Sequence, residues 1–204
     1  MFRLGSEYDA KVARIAVLYE DLRLENIAAS ESEMPRLDGS GREFRQLYFI
    51  RRSIGTVREF AEAIAMLDSD AEFTGVKDRF DSDAATTWSK GVRFFSRWDR
   101  YLRNIRNDFG GHFGYPPARF AIDHLGDGPV VFEYSIDHAN RKANVRLKFA
   151  SEIAAIGMRR HSRAEDPSDH FRLLFRLALT AFGRAAGCAR LLAVYDLHDR
   201  FDPR

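Results

Sequence analysis

From Ala84 to Phe109 the apolar side chains recur at helical spacing, and the run then stops at Gly110, Gly111, Gly114, Pro116 and Pro117. Take about 100° per residue with Arg93 at zero. Trp88, Phe94, Phe95, Trp98, Tyr101, Leu102, Ile105 and Phe109 then fall between roughly 80° and 220°. A stripe that wide and that aromatic has to be buried against other helices, which commits the chain to helix-on-helix packing. Arg93, Arg97, Arg100 and Asn104 lie within roughly 40° of zero, on the opposite, solvated face.

Other segments supply partners for that stripe. Residues 7–29 carry Val12, Ile15, Ala16, Tyr19 and Leu22 at spacings of three and four, and a second helix is expected from Glu43 to about Leu67. Pro35, Gly39 and Gly41 mark residues 30–42 as a loop. Residues 70–84 read as a short helix and a turn, 150–159 as a short helix, and about Ser168 to Asp196 as a last long helix. Gly183 and Gly187 in that last helix allow a neighbour to come close.

Residues 118–150 differ. VVFEYSI (130–136) and ANVRLKF (143–149) alternate apolar and polar residues around the turn-like DHANRK, the pattern of an antiparallel β-hairpin. ARFAIDHL (118–125) reads as either a short helix or a third strand. The expected architecture is therefore mainly α: one domain over 1–204, with a β-hairpin inserted at about 118–150 and packed on the helices.

Charge and cysteine content narrow the classes further. The chain has 204 residues and a net charge of +2, so local rather than global charge speaks to partners. Cys188 is the single cysteine, which excludes an internal disulfide and a CxxC metal site. The N-terminus lacks a signal-peptide pattern, and no uncharged apolar run approaches the roughly 20 residues of a membrane span. A cytoplasmic protein without a membrane anchor is expected.

The end of the 84–109 helix carries the chemistry. Arg106-Asn107-Asp108-Phe109-Gly110-Gly111-His112 resembles the Arg-x(4–6)-His signature of the HEPN superfamily, including the Asn directly after the Arg. The setting, near the end of a long helix in a small bundle, is similar too, and the resemblance is concentrated in about 84–114. It implies a HEPN-like up-and-down helical bundle that dimerises and brings two motifs together. It also implies a metal-independent endoribonuclease of toxin–antitoxin or phage-defence systems, with Arg106, His112 and Asn107 as catalytic residues and no cofactor. The β-hairpin departs from a minimal bundle of that kind. Some members of the superfamily have lost catalysis, so the alternative is a HEPN-like binding or scaffolding protein in a defence or regulatory complex.

Those residue types suit RNA cleavage. Histidine acts as acid or base near neutrality. Arginine stays charged and binds phosphate oxygens. Asn107 could orient a phosphate or fix the imidazole. The basic residues Lys90, Arg93, Arg97, Arg100 and Arg103 are candidates to hold the RNA backbone, with support from Arg42, Arg45, Arg51, Arg52 and Arg58. Trp88 or Tyr115 could stack on a base. The plainer alternative has Arg106 paired with Asp108 or another surface acid, His112 capping the helix, and the basic face merely solvated. His124, His138, His161, His170 and His198 show no ligand spacing and read as surface or packing residues. Partners are expected to be RNA, a second copy of the chain, and an antitoxin or other defence protein.

Overall fold

In the computed structural model, which describes residues 2–30, 39–109, 114–125, 132–137, 142–147, 149–161 and 167–198, the long amphipathic segments assemble into a helical bundle. The described residues form α1 (Glu7–Ser30), α2 (Gly39–Asp68), α3 (Ala71–Lys77), α4 (Ser82–Phe109), α5 (Tyr115–His124), α6 (Phe149–Met158) and α7 (Pro167–Leu192). A 3-10 turn, Arg159–His161, follows α6, and α7 continues into a π-helical turn, Ala193–Leu197.

The main packing runs α1 on α2, α2 on α4, and α7 across α1 and α4, while α5 packs on α6. The stripe read from the sequence of α4 is the face that goes in. Trp88, Phe95, Leu102 and Ile105 are buried, and Phe94, Trp98 and Tyr101 pack at the edge of the same core. Phe60 of α2 meets Phe95 with ring centroids 5.2 Å apart. The indole N–H of Trp88 donates to Asp68 Oδ1 at 2.7 Å, so its one polar atom is satisfied on burial.

Glycine decides how closely α4 and α7 approach. A Cβ at Gly91 would fall 2.5 Å from Cys188 Sγ, and one at Gly187 would fall 3.1 Å from Thr87 Cγ2. No atom lies within 4 Å of a Cβ built at Gly183, so the close approach expected there occurs only at Gly187. Cys188 is fully buried, and burial pushes its thiol up to about 12.

Several expectations shift. α2 starts at Gly39, inside the segment read as a loop, because glycine permits but does not enforce a break. On α2 the apolar register also slips: Phe44 is exposed, whereas Arg45 is buried and donates from Nη2 to the Ala28 carbonyl near the end of α1 at 2.7 Å. A cation at a helix C-terminus satisfies a carbonyl that has no intrahelical partner. Of residues 118–125, those up to His124 are helical and Leu125 caps the helix in an extended conformation. Pro116 and Pro117, which end the α4 pattern, sit in the first turn of α5, where proline's fixed φ suits a helix start.

β1 (Phe132–Asp137) and β2 (Lys142–Leu147) pair antiparallel, with Tyr134 opposite Val145 and Phe132 opposite Leu147. Of the expected turn DHANRK, Asp137 and Lys142 pair at the strand ends, and residues 138–141 lie outside the described residues. The strands take no share in the main helix contacts among the described residues.

Between Arg172 and Leu197 the last helix is long and apolar enough to cross a membrane by length and composition. In this fold it is a bundle helix. Leu174, Leu177, Ala181, Ala185 and Cys188 face the core, and Arg184 and Arg190 lie on its exposed side.

Candidate functional site

The last turn of α4 sends its charged side chains in divergent directions. Residues two apart on a helix are separated by about 200°, so Arg106 and Asp108 cannot share a face. Arg106 turns toward α2 and donates from Nη2 to Glu59 Oε1 at 2.8 Å. Glu59 Oε2 also accepts from Arg14 Nη2 of α1 at 3.0 Å. The chain of charges continues through Glu62 to Arg58, which faces Asp99 at 3.4 Å, and Asp99 pairs with Arg103 one turn further on. Arg106 thus has a partner contributed by another helix, not the neighbouring Asp108.

The Arg106–Glu59 pair is open to water, with side chains 49% and 31% exposed. Such a pair is worth no more than about 1 kcal/mol. A phosphate that offers two oxygens to the guanidinium fork can compete with it. A groove of about 500 Å³ between α2 and α4, lined by Arg58, Glu62, Phe95, Ser96 and Asp99 among others, runs along the same surface.

Asp108 turns the other way. Arg160 Nη1 donates to both of its oxygens, at 3.1 and 2.9 Å, and His161 Nε2 stands 2.6 Å from Oδ2. A carboxylate offers only acceptors, so Nε2 is the ring nitrogen that carries the hydrogen in this contact. The backbone N–H of Gly114 donates to the Asp108 carbonyl at 3.1 Å, which closes the chain around the end of α4. His161, read from the sequence as a surface or packing residue, is therefore one half of an Asp–His pair. The run Met158-Arg159-Arg160-His161 marks a cationic helix end in the sequence, but nothing local reveals an acid 53 residues away.

His112, with Gly110 and Gly111, lies outside the described residues. Asn107 is exposed beside Arg106. Of the expected RNA-binding residues, Lys90, Arg93 and Arg100 are exposed and make no ion pair with a described residue. The guanidinium of Arg97 lies 6.0 Å from the Trp98 ring centroid, and Arg103 is held by Asp99.

Of the supporting arginines of α2, the side chain of Arg42 lies outside the described residues and the other four are engaged within the chain. Arg45 is buried, Arg51 lies against the Tyr48 ring, Arg52 faces Glu25, and Arg58 serves Glu62 and Asp99. Trp88 is buried and so cannot stack on a base, whereas Tyr115 is 76% exposed.

The remaining histidines divide. His124 stacks on Phe120, with centroids 4.0 Å apart, and His198 is exposed. His138 lies outside the described residues. His170, in the first turn of α7, is 1% exposed. Burial drives its imidazole down to about 4, with the Met158 backbone opposing and the charge of Arg159 adding to the shift. No group of three or more His, Cys, Asp or Glu side chains is placed to hold a metal ion among the described residues.

The arrangement offers a solvent-reachable guanidinium, an exposed carboxamide next to it, a carboxylate-oriented imidazole on the far side of the same helix turn, and a row of exposed cations leading up to it. Those are the groups that bind phosphodiesters and move protons. No family profile, curated protein or solved structure matches this chain.

Proposed function

We propose that this chain is a metal-independent endoribonuclease of HEPN type, working in the cytoplasm as a homodimer, in a toxin–antitoxin or phage-defence role. The reaction is attack of a ribose 2′-oxygen on the adjacent phosphorus. A base takes the 2′-OH proton, the P–O2′ bond forms, the P–O5′ bond breaks, and the 5′-oxygen receives a proton. In this reading Arg106 binds the phosphate oxygens as negative charge builds on them, His112 transfers a proton, and Asn107 orients the phosphate or the imidazole. Lys90, Arg93, Arg97, Arg100 and Arg103 hold the RNA backbone, and their contribution weakens with salt.

The observation that carries this reading is the state of Arg106. It sits at the C-terminal end of a long bundle helix, half exposed, and among the described residues it is engaged by a water-accessible carboxylate that a phosphate can displace. Asn107 stands exposed beside it.

The same ion pair supports a second reading, a catalytically inactive HEPN-like binding protein in a defence or regulatory complex. There the Arg106–Glu59 contact is a permanent part of the α1–α2–α4 charge network.

Cleavage of end-labelled RNA in excess EDTA separates the two. The ribonuclease reading expects cleavage by the parent and its loss in folded Arg106→Ala and His112→Ala variants, with oligomeric state checked for each. Equal cleavage by all three, or none by the parent, overturns it in favour of the binding protein.

A further inference from the structure

The pair at the end of α4 goes beyond the motif. We infer that His161 is a proton-transfer residue of the RNA-cleavage reaction, with Asp108 as its positioning residue and Arg160 as a phosphate-binding cation beside it. This rests on the ribonuclease reading and adds to it a site that the Arg106 motif does not contain.

Three observations meet here. First, the imidazole is oriented: Nε2 is fixed 2.6 Å from Asp108 Oδ2, which leaves Nδ1 of the neutral ring with its lone pair. A carboxylate that holds one ring nitrogen sets the tautomer and steadies the imidazolium when the other nitrogen takes a proton. Second, the ring is reachable. The His161 side chain is 23% exposed, against 13% for Asp108, so the orienting group is the more sheltered of the two. Among the described residues, the ring's hydrogen-bond contact is made through Nε2. Third, a guanidinium is already in place. Arg160 uses Nη1 on Asp108 and keeps 37% of its side chain exposed, which leaves the other face of its fork for a phosphate oxygen.

The location agrees with that role. Asp108 lies two residues from Arg106, on the other side of the same turn, and its own carbonyl is closed off by the Gly114 N–H. An RNA strand crossing the end of α4 passes from one guanidinium to the other. In the step assigned here, Nδ1 of His161 accepts the 2′-OH proton as the P–O2′ bond forms. The P–O5′ bond then breaks, and the leaving 5′-oxygen takes a proton from His112 in the proposed reading or from water. No electron transfer is involved.

The experiment compares the parent with Arg106→Ala, His161→Gly and Asp108→Asn on end-labelled RNA in excess EDTA, each checked by circular dichroism and thermal melting. General acid–base catalysis contributes typically about 10²–10⁴-fold, so His161→Gly should lose activity on that scale. Added imidazole should restore part of it in His161→Gly and none in Arg106→Ala. Asp108→Asn should cleave more slowly, with an altered pH–rate profile. A folded His161→Gly that cleaves as fast as the parent overturns this inference alone. So does a loss that imidazole fails to rescue and that tracks a lowered melting temperature, because that is the signature of a purely structural tie. No cleavage by the parent removes the ribonuclease reading, and this inference with it.

Discussion

Arg106 and Asp108, two residues apart at the end of α4, are tied to partners on different flanks of the same helix turn: Arg106 to Glu59 of α2 at 2.8 Å, Asp108 to His161 of the 3-10 turn at 2.6 Å. One helical turn therefore ties together α2, α4 and the segment after α6. It also offers a guanidinium on one flank and an imidazole on the other. The first tie is exposed and weak, and the second is more sheltered and has two donors on one carboxylate.

Glu59 competes with phosphate for Arg106. Glu59→Gln should tighten binding of a short single-stranded RNA severalfold at fixed salt. It should move the melting temperature by no more than about 4 °C, because an exposed pair is worth about 1 kcal/mol or less. Fluorescence anisotropy and thermal melts measure both. RNA binding that is unchanged or weaker would show that Glu59 supports the site and does not compete at it.

Lys90, Arg93 and Arg100 are exposed and have no ion-pair partner among the described residues, so they can meet a nucleic-acid backbone. Changing all three to Gln should weaken RNA binding without altering the fold. The slope of log affinity against log salt should become shallower by roughly 0.7 for each phosphate of a single strand that is no longer neutralised. Affinity and slope equal to those of the parent would remove this face from the RNA path.

His170 should make the fold acid-labile. Its folded value, about 4, lies below the usual histidine range because burial penalises the charged ring. Between about 6.5 and 4 the unfolded chain binds the proton and the folded chain does not, so stability falls as pH falls through that window. At about 1.4 kcal/mol per unit, the full loss is of order 3 kcal/mol. Denaturant melts at pH 7, 5.5 and 4.5 should show this slope in the parent and a shallower one in His170→Leu. Parallel slopes would place the acid sensitivity elsewhere.

The α4–α7 contact has no room for a methyl group at Gly91, where a Cβ would come 2.5 Å from Cys188 Sγ. Gly91→Ala should cost about 1–3 kcal/mol of stability through overpacking. Gly183→Ala, with nothing within 4 Å, should gain up to about 1 kcal/mol from helix propensity. Pairing Gly91→Ala with Cys188→Ala should cost less than the sum of the two single changes, because the added methyl takes the space the thiol leaves. Strictly additive values in urea melts would mean the helices shift apart instead.

Helix identity and helix face were legible from the chain alone, because both depend on a period of 3.6 residues that any local window contains. That is why Val12, Ile15 and Leu22 of α1, Trp88, Phe95, Leu102 and Ile105 of α4, and Leu174, Ala181 and Ala185 of α7 are inside, although Ala16 of the same α1 pattern and Phe175 of α7 are exposed. The limits of that reasoning appear where two equally allowed local outcomes compete. Gly39 and Gly41 sit in a helix as well as in a loop, and the Pro116-Pro117 pair that ends one helix begins the next. Charge partnerships were not legible at all. The sequence determined that Arg106 and Asp108 point apart, since two residues on one helix differ by about 200°. Only the tertiary structure decided that Arg106 meets an acid 47 residues away on α2, and that Asp108 meets a histidine 53 residues away. A side chain's direction follows from its own helix, whereas what waits at the end of it depends on how the other helices are packed.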